Sequence, residues 1–482
     1  MKKIRIISLL LCIVILVPLL FSCAKEETEE TVTAAPVDTT DGRFDANGYL
    51  KDDLPDDLDF NGETLNVYTW TEQIKADWGT RENSSNVVEK ALYEREVSVC
   101  KRLNIKLSIV DQNGAWADHH TFIQTLENNN LSGDKTVHMV SQYMPSSGVG
   151  ALKNLYADLN TISYIDLEKP WWPKNLNECT AVGDKVFFAS GDITTTAINN
   201  ICCMYVNMDM YNALELDKMV DERSLYEVVS DGDWTIDLFK KMIATISTYG
   251  DANTRDYGFV MGIDVHCDNF FYSGGYSFIE NTGGVMTLSE DLQKPIFVDW
   301  FDEIQALVCD NGSVIINNDG LFAKGRSLFA TESIGALTTT LSDLSFKFSI
   351  LPMVKQIKDA EYYTTPSLWV SMYSVPTNSP NSELSGAALE ALASYSYRAV
   401  TPEVYYTTFS YRYLPDDDNA KIFDIVTDNV VYDAARMFAD HLNIYHIFRT
   451  TADKSKGWVS QYKMSADVWK GKITSIYETL NP

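Results

Sequence analysis

The sequence is poor in positive charge. Its 482 residues include 39 Lys and Arg against 67 Asp and Glu, which gives a formal net charge of −28 at pH 7. Such an acidic surface repels nucleic-acid phosphates and anionic lipid headgroups, so the composition predicts no nucleic-acid partner. The 45% of hydrophobic and 22% of charged residues are otherwise ordinary for a globular protein. The length gives room for two domains.

Motifs of enzyme active sites are also lacking. The sequence contains no HExxH, no GxSxG, no Walker loop and no GxGxxG after a strand. Only six His occur. Two of them, His119 and His120, are neighbours at the start of a helix, where adjacent side chains are expected to point apart and make poor joint metal ligands. The acidic run at 416–419 lacks the Gly and the Glu of a calcium loop. These absences predict no catalytic residues, no cofactor and no metal.

Cysteine spacing offers no disulfide framework. The eight Cys include no CxxC pair. Cys202 and Cys203 are neighbours in an apolar run, where buried free thiols are expected. We expect no essential disulfide among the six Cys that follow residue 23.

Long apolar runs are rare, and the exception is at the N-terminus. Lys2, Lys3 and Arg5 precede an apolar stretch from Ile6 to Leu20, which is the arrangement of a secretory signal. A membrane-spanning helix is the alternative, but it needs about 20 apolar residues, and Pro18 breaks the end of this stretch.

The residues after this run resemble a bacterial lipobox. In Leu20-Phe21-Ser22-Cys23 the Cys becomes the lipidated first residue of the mature protein, although Phe21 is bulkier than the small residue usual at its place. The resemblance implies a signal peptide over 1–22 and a lipid anchor at Cys23, on the outer face of the cytoplasmic membrane. The stretch from Ala24 to about Asp41 has almost no bulky apolar residue, and we expect 23–59 to be a disordered acidic tether. Within it, Phe44, Tyr49, Leu50 and Leu54 could pack on the edge of the folded domain.

The folded sequence starts with a strand, a helix and a strand. Thr64–Trp70 and Asn104–Val110 flank Val87–Leu103, whose apolar residues have helical spacing, and this βαβ pattern favours a parallel sheet. A third strand over Val137–Gln142 is expected to lead into a glycine-containing loop over Met144–Gly150. Over the whole chain, the patterns predict a mixed α/β fold in two lobes.

Later elements follow from the same patterns. Thr235 is a candidate N-cap for a helix starting at Ile236. Strands are expected at Gly183–Ala189, Ile198–Val206, Asp256–Gly262, Leu328–Ala330, Phe346–Leu351 and Trp369–Val375, and helices at Val298–Val308, Glu383–Tyr397, Val426–His441 and Val459–Leu480.

Aromatic residues stand at strand ends and beside turns. Trp70 and Tyr143 end the first and third strands, and Trp171, Trp172 and Trp369 adjoin turns. Ligands bind at the carboxyl ends of strands in parallel α/β sheets, and flat aromatic faces suit the apolar faces of sugar rings. The alternative, which must hold for most of these residues, is packing in the core and between the lobes.

Several short segments, in order over more than 400 residues, resemble the extracellular solute-binding proteins of ABC importers, the class that includes maltose-binding protein. They are Glu63–Trp70, Tyr156–Asn160 with Pro170–Trp172, Ala189–Asp192, Ile198–Asp209, Asp233–Thr235, Phe322–Arg326, Leu351–Pro352 and Val375–Asn381. A departure follows Leu351–Pro352, because Met353-Val354-Lys355 stand where such proteins often have a Pro-Lys pair.

The resemblance implies a two-lobed, periplasmic-binding-protein-like (type II) α/β fold with a central ligand cleft. Residues 60–198 and 366–410 would form lobe 1, and 199–365 and 411–482 lobe 2. The chain would cross between the lobes near Thr194–Cys202 and return near Tyr363–Val370. The ligand-binding residues it implies are Trp70, Glu72, Gln142, Tyr143, Trp172, Asn199, Asn200, Phe270, Phe271, Glu332, Ser333 and Trp369.

The resemblance further implies a monomeric, lipid-anchored component of an ABC importer. It would capture a small polar solute, an oligosaccharide or sugar first, by lobe closure and deliver it to permease subunits without covalent chemistry. Two alternatives stay open. One is a peptide-binding lipoprotein of the same fold, and the other is an exported polysaccharide-processing enzyme, since 67 acidic residues leave room for a catalytic carboxylate pair.

Overall fold

The computed structural model describes residues 42–79, 82, 84–316, 320–409 and 417–482. The predicted signal peptide and Cys23 lie outside these residues. No helix in the described part of the chain is long and apolar enough to cross a membrane. The chain divides into two units, Met1–Tyr49 and Leu50–Pro482. In the first, the Asp45 carboxylate closes a turn by accepting hydrogen bonds from the backbone N–H groups of Asn47 and Tyr49.

The strands of the second unit form three sheets. They are β1 (Glu63–Trp70), β2 (Ile105–Gln112), β3 (Met139–Tyr143), β4 (Cys202–Asn207), β5 (Tyr257–Met261), β6 (Ile279–Thr282), β7 (Val285–Leu288), β8 (Val314–Ile316), β9 (Ser327–Ser333), β10 (Phe348–Leu351) and β11 (Ser371–Ser374). The sheet orders are β11-β3-β1-β2, β10-β4-β9-β5-β8 and the hairpin β6-β7.

Helices cover most of the remaining described chain. The first group is α1 (Ile74–Asp77), α2 (Val87–Leu103), α3 (His119–Leu131), α4 (Met144–Leu152), α5 (Lys174–Thr180), α6 (Thr196–Asn199), α7 (Met208–Ala213), α8 (Leu225–Ser230) and α9 (Ile236–Ile243). The second is α10 (Val265–Ser273), α11 (Pro295–Asp310), α12 (Ser382–Tyr395), α13 (Thr401–Phe409), α14 (Asp417–Asp428), α15 (Ala434–Met437), α16 (Ala439–Leu442) and α17 (Trp458–Leu480). A π-helical turn at Ser396–Val400 separates α12 from α13, and short 3₁₀ turns lie at Thr71–Gln73, Leu159–Thr161, Leu216–Val220, Glu290–Gln293, Ile334–Thr338 and Ile447–Ala452.

The first sheet begins with the predicted βαβ unit. β1 and β2 pair in parallel along their whole length, from Glu63 opposite Ile105 to Trp70 opposite Gln112. The intervening α2 begins where Asn86 accepts hydrogen bonds from two backbone N–H groups of its first turn, and it ends at Asn104, whose φ of 48° stops the helix. β3 pairs in parallel with β1, and β11 closes the sheet antiparallel to β3.

Two stretches of chain run between the first and second sheets. The first leaves after Ala189, which bridges to Tyr373, and enters β4 at Cys202. The second leaves β10 and returns at β11. The two stretches lie side by side, because Ile201 bridges to Pro366 and the Ser367 N–H donates to the Asn200 carbonyl at 2.8 Å. The two segments, 190–201 and 352–370, are here called the crossing stretches.

Gly148 and Gly150 explain why one predicted element is wrong. The stretch predicted as a loop is α4, which starts with Pro145 in its first turn. A Cβ at Gly148 would come within 2.2 Å of the Met437 carbonyl oxygen, and one at Gly150 within 2.3 Å of the Tyr156 ring. These glycines therefore permit close packing of a buried helix rather than a turn.

Other predicted elements also differ from the structure. The helix predicted over Val426–His441 is broken by buried Asp433, whose carboxylate accepts the Phe278 N–H at 2.6 Å and caps α15 through the Ala435 N–H at 2.9 Å. The strand predicted from Ile198 starts only at Cys202, because α6 precedes it. The stretch Gly183–Ala189 carries isolated bridges in place of a strand.

The compact unit begins inside the stretch predicted as tether. Leu54 is buried. The Asp52 carboxylate, whose side chain is 1% exposed, forms an ion pair with Arg102 at 2.7 Å. Residues from Leu50 onward thus pack on the folded protein because they offer one apolar and one charged anchor.

A buried glutamate in the first-sheet core gives a pH prediction. Glu390 of α12 is 2% exposed, and its Oε2 accepts the Trp172 indole N–H at 3.0 Å. Burial raises the pKa of Glu390 from 4.5 to about 7, although the Trp172 hydrogen bond opposes this. Between about pH 4.5 and about pH 7, the Glu390 carboxyl group therefore keeps its proton in the folded protein but loses it in the unfolded chain. The free energy of unfolding falls as the pH rises through this window.

We expect Glu390→Gln to remove this loss. The variant should lack the pH-dependent loss of the unmodified protein. The difference in free energy of unfolding, variant minus unmodified protein, should therefore rise by up to ~3 kcal/mol from about pH 5 to about pH 8. Urea unfolding at the two pH values measures the difference. Glu94→Gln, at an exposed residue of α2, is the control and should show none. An equal effect of Glu390→Gln at both pH values would contradict the prediction.

Candidate functional site

Six aromatic side chains form a continuous group beside the first sheet, here called the aromatic cluster. Its members are Trp70, Trp116, His119, Tyr143, Trp369 and Tyr445.

Three of these rings meet at one edge of the first sheet. Trp70 ends β1 and Tyr143 ends β3, and parallel strands bring their carboxyl ends to the same edge of a sheet. Trp369 comes just before β11, which runs antiparallel to β3 and therefore starts at that edge. The Trp70 ring lies 5.4 Å from the Tyr143 ring and 5.7 Å from the Trp369 ring. The Trp70 indole N–H donates to Ser371 Oγ at 2.9 Å, which fixes the plane of the ring.

The outer members of the cluster present flat faces to solvent. Trp369 is 41% exposed and Trp116 is 51% exposed. Trp116 stacks on His119 with centroids 5.2 Å apart, and Tyr445 lies 6.4 Å from Trp116. Exposed indoles on buried rings form a rigid apolar surface of the kind that ligands use.

Polar groups adjoin Trp369. The Asn200 side-chain amide donates to the Trp369 carbonyl at 3.2 Å, and its oxygen accepts the Ser367 hydroxyl at 2.9 Å. The end of β9, with Glu332 and Ser333, lies next to Asn199 and Asn200, because the Ile334 N–H donates to the Ile201 carbonyl at 2.9 Å. Five of the predicted site residues are therefore grouped around the two crossing stretches, namely Asn199, Asn200, Glu332, Ser333 and Trp369.

The carboxylate of Glu72 lies just after the end of β1. Glu72 is exposed, and its carboxylate accepts the backbone N–H groups of Gly114 at 3.0 Å and Ala115 at 3.2 Å. Glu72 thereby holds the loop that carries Trp116.

A buried carboxylate lies beneath Trp70. Asp77 is fully buried, and its carboxylate accepts hydrogen bonds from three hydroxyl groups. They belong to Thr194 at 2.5 Å, Ser371 at 2.7 Å and Ser141 at 2.8 Å. Burial raises the pKa of Asp77, and the three hydroxyls and the nearby Arg95 charge offset part of that rise. The network joins α1, β3, the first crossing stretch and β11 around one side chain.

Another buried carboxylate lies behind Tyr445. Asp268 of α10 accepts two hydrogen bonds from Arg449, at 2.7 Å and 2.5 Å. Arg436, itself buried, approaches the same carboxylate at 3.6 Å and donates to the Pro366 carbonyl at 2.7 Å. The Arg449 guanidinium lies 5.4 Å from the centre of the Tyr445 ring, so this ion network supports the outer part of the aromatic cluster.

The two neighbouring histidines do not point apart. The Nε2 atoms of His119 and His120 lie 2.7 Å and 3.1 Å from the same oxygen of Asp440. Their ring centroids are 4.1 Å apart. The expectation that the two side chains point apart is wrong, because Asp440 of α16 reaches both rings at the first turn of α3.

Four predicted site residues lie in the interior. Gln142 is enclosed between the Ser374 hydroxyl and the Tyr156 hydroxyl. Trp172 packs in the first-sheet core. Phe270 and Phe271 are fully buried, and Phe271 stacks on Phe278 at 4.0 Å. The structure does not bring these side chains to the aromatic cluster.

Sequence reasoning missed Trp116, Tyr445, His119 and Asp440. Trp116 had a signal, because it lies four residues after the end of β2, the parallel neighbour of the strand that Trp70 ends, and therefore belongs to the same edge. Tyr445 and Asp440 come from the far end of the chain and had no sequence signal.

A separate groove of about 760 Å³ lies against α7, β10 and the start of α14. Its lining includes Tyr211, Arg223, Phe348 and Asn419, and none of the aromatic cluster. We place the candidate site at the aromatic cluster because rings, amides and crossing stretches converge there.

No protein-family model matches the chain, and no curated protein matches it. Solved structures do. The cyclic α-maltosyl-1,6-maltose binding protein of Arthrobacter globiformis is 13% identical, over 87% of this chain and 100% of that one, with a TM-score of 0.57. The maltose-binding periplasmic protein of Listeria monocytogenes, solved with maltose, is 11% identical over 86% and 98% of the two chains, with a TM-score of 0.55.

A third similar structure holds a different ligand. UgpB of Mycobacterium tuberculosis, in complex with glycerophosphocholine, is 14% identical over 86% of this chain and 99% of that one, with a TM-score of 0.55. At such low identity these likenesses establish the fold. The predicted fold class is confirmed: the chain has the mixed α/β fold of the two-lobed solute-binding proteins.

Proposed function

We propose that the chain is the solute-binding component of an ABC importer and captures a small polar solute, first an oligosaccharide or sugar. The observation that carries the proposal is the pair of exposed indoles, Trp116 and Trp369, on buried aromatic rings at the carboxyl ends of parallel strands. Sugar rings stack their apolar faces on such indoles, and amides beside them bind hydroxyl groups.

The proposed mechanism is closure of two lobes over the solute. Lobe 1 would comprise 60–198 and 366–410, and lobe 2 would comprise 199–365 and 411–482. The paired crossing stretches, joined at Ile201 and Pro366, are short enough to act as a hinge. Closure would bring Glu332 and Ser333 toward a solute held on Trp369.

The proposed contacts with the solute come from the exposed and half-buried residues. They are Glu72, Asn199, Asn200, Glu332, Ser333 and Trp369, with Trp116 added. The buried rings of Trp70 and Tyr143 would form the floor, and Gln142, Trp172, Phe270 and Phe271 would support it from the core.

The proposed setting is outside the cytoplasmic membrane. A signal peptide over 1–22 and lipidation of Cys23 would anchor a monomeric protein there, and permease subunits would receive the solute. The acidic surface, with a net charge of −28, would keep the module away from anionic headgroups.

A ligand panel tests the proposal. Thermal unfolding of the protein is measured with maltooligosaccharides, glycerophosphocholine and short peptides, because a ligand that binds the folded state raises its midpoint. A shift with maltooligosaccharides supports the proposal. A shift with peptides alone favours the peptide-binding alternative, and sugar products in the same mixtures would show an enzyme.

The exposed indoles should carry most of the affinity. We expect Trp369→Ala and Trp116→Ala each to weaken binding of the sugar identified by the panel about 10-fold to 100-fold, since loss of a stacked indole costs about 1.5–3 kcal/mol. Tyr249→Ala, at an aromatic residue 90% exposed elsewhere, is the matched control and should leave affinity unchanged. Titration calorimetry measures all three, and unchanged affinity in both Trp variants would place the site elsewhere.

A further inference from the structure

We propose that His119, His120 and Asp440 bind a divalent transition-metal ion, Zn²⁺ first, at the edge of the aromatic cluster. The Nε2 atoms of the two His lie 2.7 Å and 3.1 Å from one Asp440 oxygen. One ligand atom from each residue lies within 4.8 Å of the others. Two imidazoles and a carboxylate form a donor set that suits Zn²⁺.

The two nitrogens of the His119 ring face different acceptors. Its Nδ1 lies 2.7 Å from the Trp116 carbonyl oxygen, and its Nε2 lies 2.7 Å from Asp440. A neutral ring has one proton, and the carbonyl takes it at Nδ1. The Nε2 lone pair then faces a carboxylate, which is favourable only with a second proton or a metal ion between them. A backbone carbonyl on the far nitrogen is also the usual outer partner of a metal-bound His.

The spacing fits a tetrahedral ion after a small movement. With bond lengths of about 2.0–2.2 Å to nitrogen and oxygen, tetrahedral ligand atoms lie about 3.3 Å apart. The 3.1 Å between His120 and Asp440 needs to open by about 0.2 Å, and the 2.7 Å between His119 and Asp440 by about 0.6 Å. The His120 side chain is 70% exposed and free to move, and the Asp440 side chain, at 19% exposed, makes the larger shift away from the buried His119 ring.

Three protein ligands leave one coordination position open. His119 is buried and stacked on Trp116, whereas His120 faces solvent. The open position is therefore on the solvent side, next to an exposed indole of the aromatic cluster. Sites with three protein ligands keep water or an oxygen of a bound molecule at the fourth position. This metal site stands independently of sugar binding.

The test is metal binding by the full-length protein after treatment with a chelator. Calorimetric titration with Zn²⁺ should give one site per chain. His120→Ala should weaken it at least about 10-fold, and this exposed position leaves the fold intact. Asp440→Asn provides a second variant. Co²⁺ should produce the visible absorption of a four-coordinate nitrogen–oxygen site in the unmodified protein and lose it in both variants.

His266→Ala is the matched control. His266 also lies near a carboxylate, with its Nε2 4.0 Å from Asp264, but the cluster of metal-ligating groups among the described residues does not include it. Its replacement should leave Zn²⁺ affinity unchanged. The proposal is overturned if Zn²⁺ does not bind, or binds equally well to His120→Ala and Asp440→Asn. In that case the cluster is an ion pair of doubly protonated His119 with Asp440.

Discussion

Replacing Asp268 with Ala should lower the free energy of unfolding by about 3–5 kcal/mol, because it removes one partner of a buried ion network. The Asp268 side chain is fully buried and accepts two hydrogen bonds from Arg449. It also lies 3.6 Å from the guanidinium of Arg436, which is itself 1% exposed. Without the carboxylate, buried Arg436 and partly exposed Arg449 lose the negative charge that they share.

The measurement is urea unfolding of Asp268→Ala beside two comparison variants. Asp302→Ala removes an exposed carboxylate from nearby α11 and should change stability by less than about 0.5 kcal/mol. Asp268→Asn keeps the shape of the side chain and loses only its charge. Its loss of unfolding free energy should therefore fall between those of Asp268→Ala and Asp302→Ala. A loss below about 1 kcal/mol for Asp268→Ala would show that water or rearrangement compensates the two Arg, and that the network is not essential.

The elements that the sequence predicted best are those whose signals are local. The α2 helix begins at Val87 and ends at Leu103 as its spacing indicated, because Asn86 and Asn104 provide both ends within the same stretch. The α4 helix was missed because the role of its glycines depends on Met437, which is distant in sequence. A glycine that permits close packing and a glycine that permits a turn cannot be told apart in a single sequence.

The candidate site divides in the same way. Trp70 and Tyr143 were predictable because strand ends of a parallel sheet meet at one edge. Asp440 was not, because 321 residues separate it from His119 and only the packing of α16 brings them together. Phe270 and Phe271 are buried in the core, since an aromatic pair on an apolar helix suits a core as well as a cleft.

The crossing stretches connect stability with the proposed movement. Thr194 belongs to the first stretch and Ser371 follows the second, and both hydroxyls donate to Asp77. The same Ser371 oxygen accepts the Trp70 indole N–H. One carboxylate therefore fixes the first-sheet end of both stretches and the orientation of the central ring of the aromatic cluster.

Replacing Asp77 with Ala should consequently cost about 3–5 kcal/mol of unfolding free energy, since it leaves three buried hydroxyls without their carboxylate acceptor and removes a negative charge near buried Arg95. Ser371→Ala removes one donor and should cost about 1 kcal/mol, whereas Asp56→Ala at an exposed carboxylate should have no effect. Urea unfolding ranks the three variants. If Asp77→Ala and Ser371→Ala are equally mild, the carboxylate does not organise the network, and the crossing stretches are held by their backbone pairing alone.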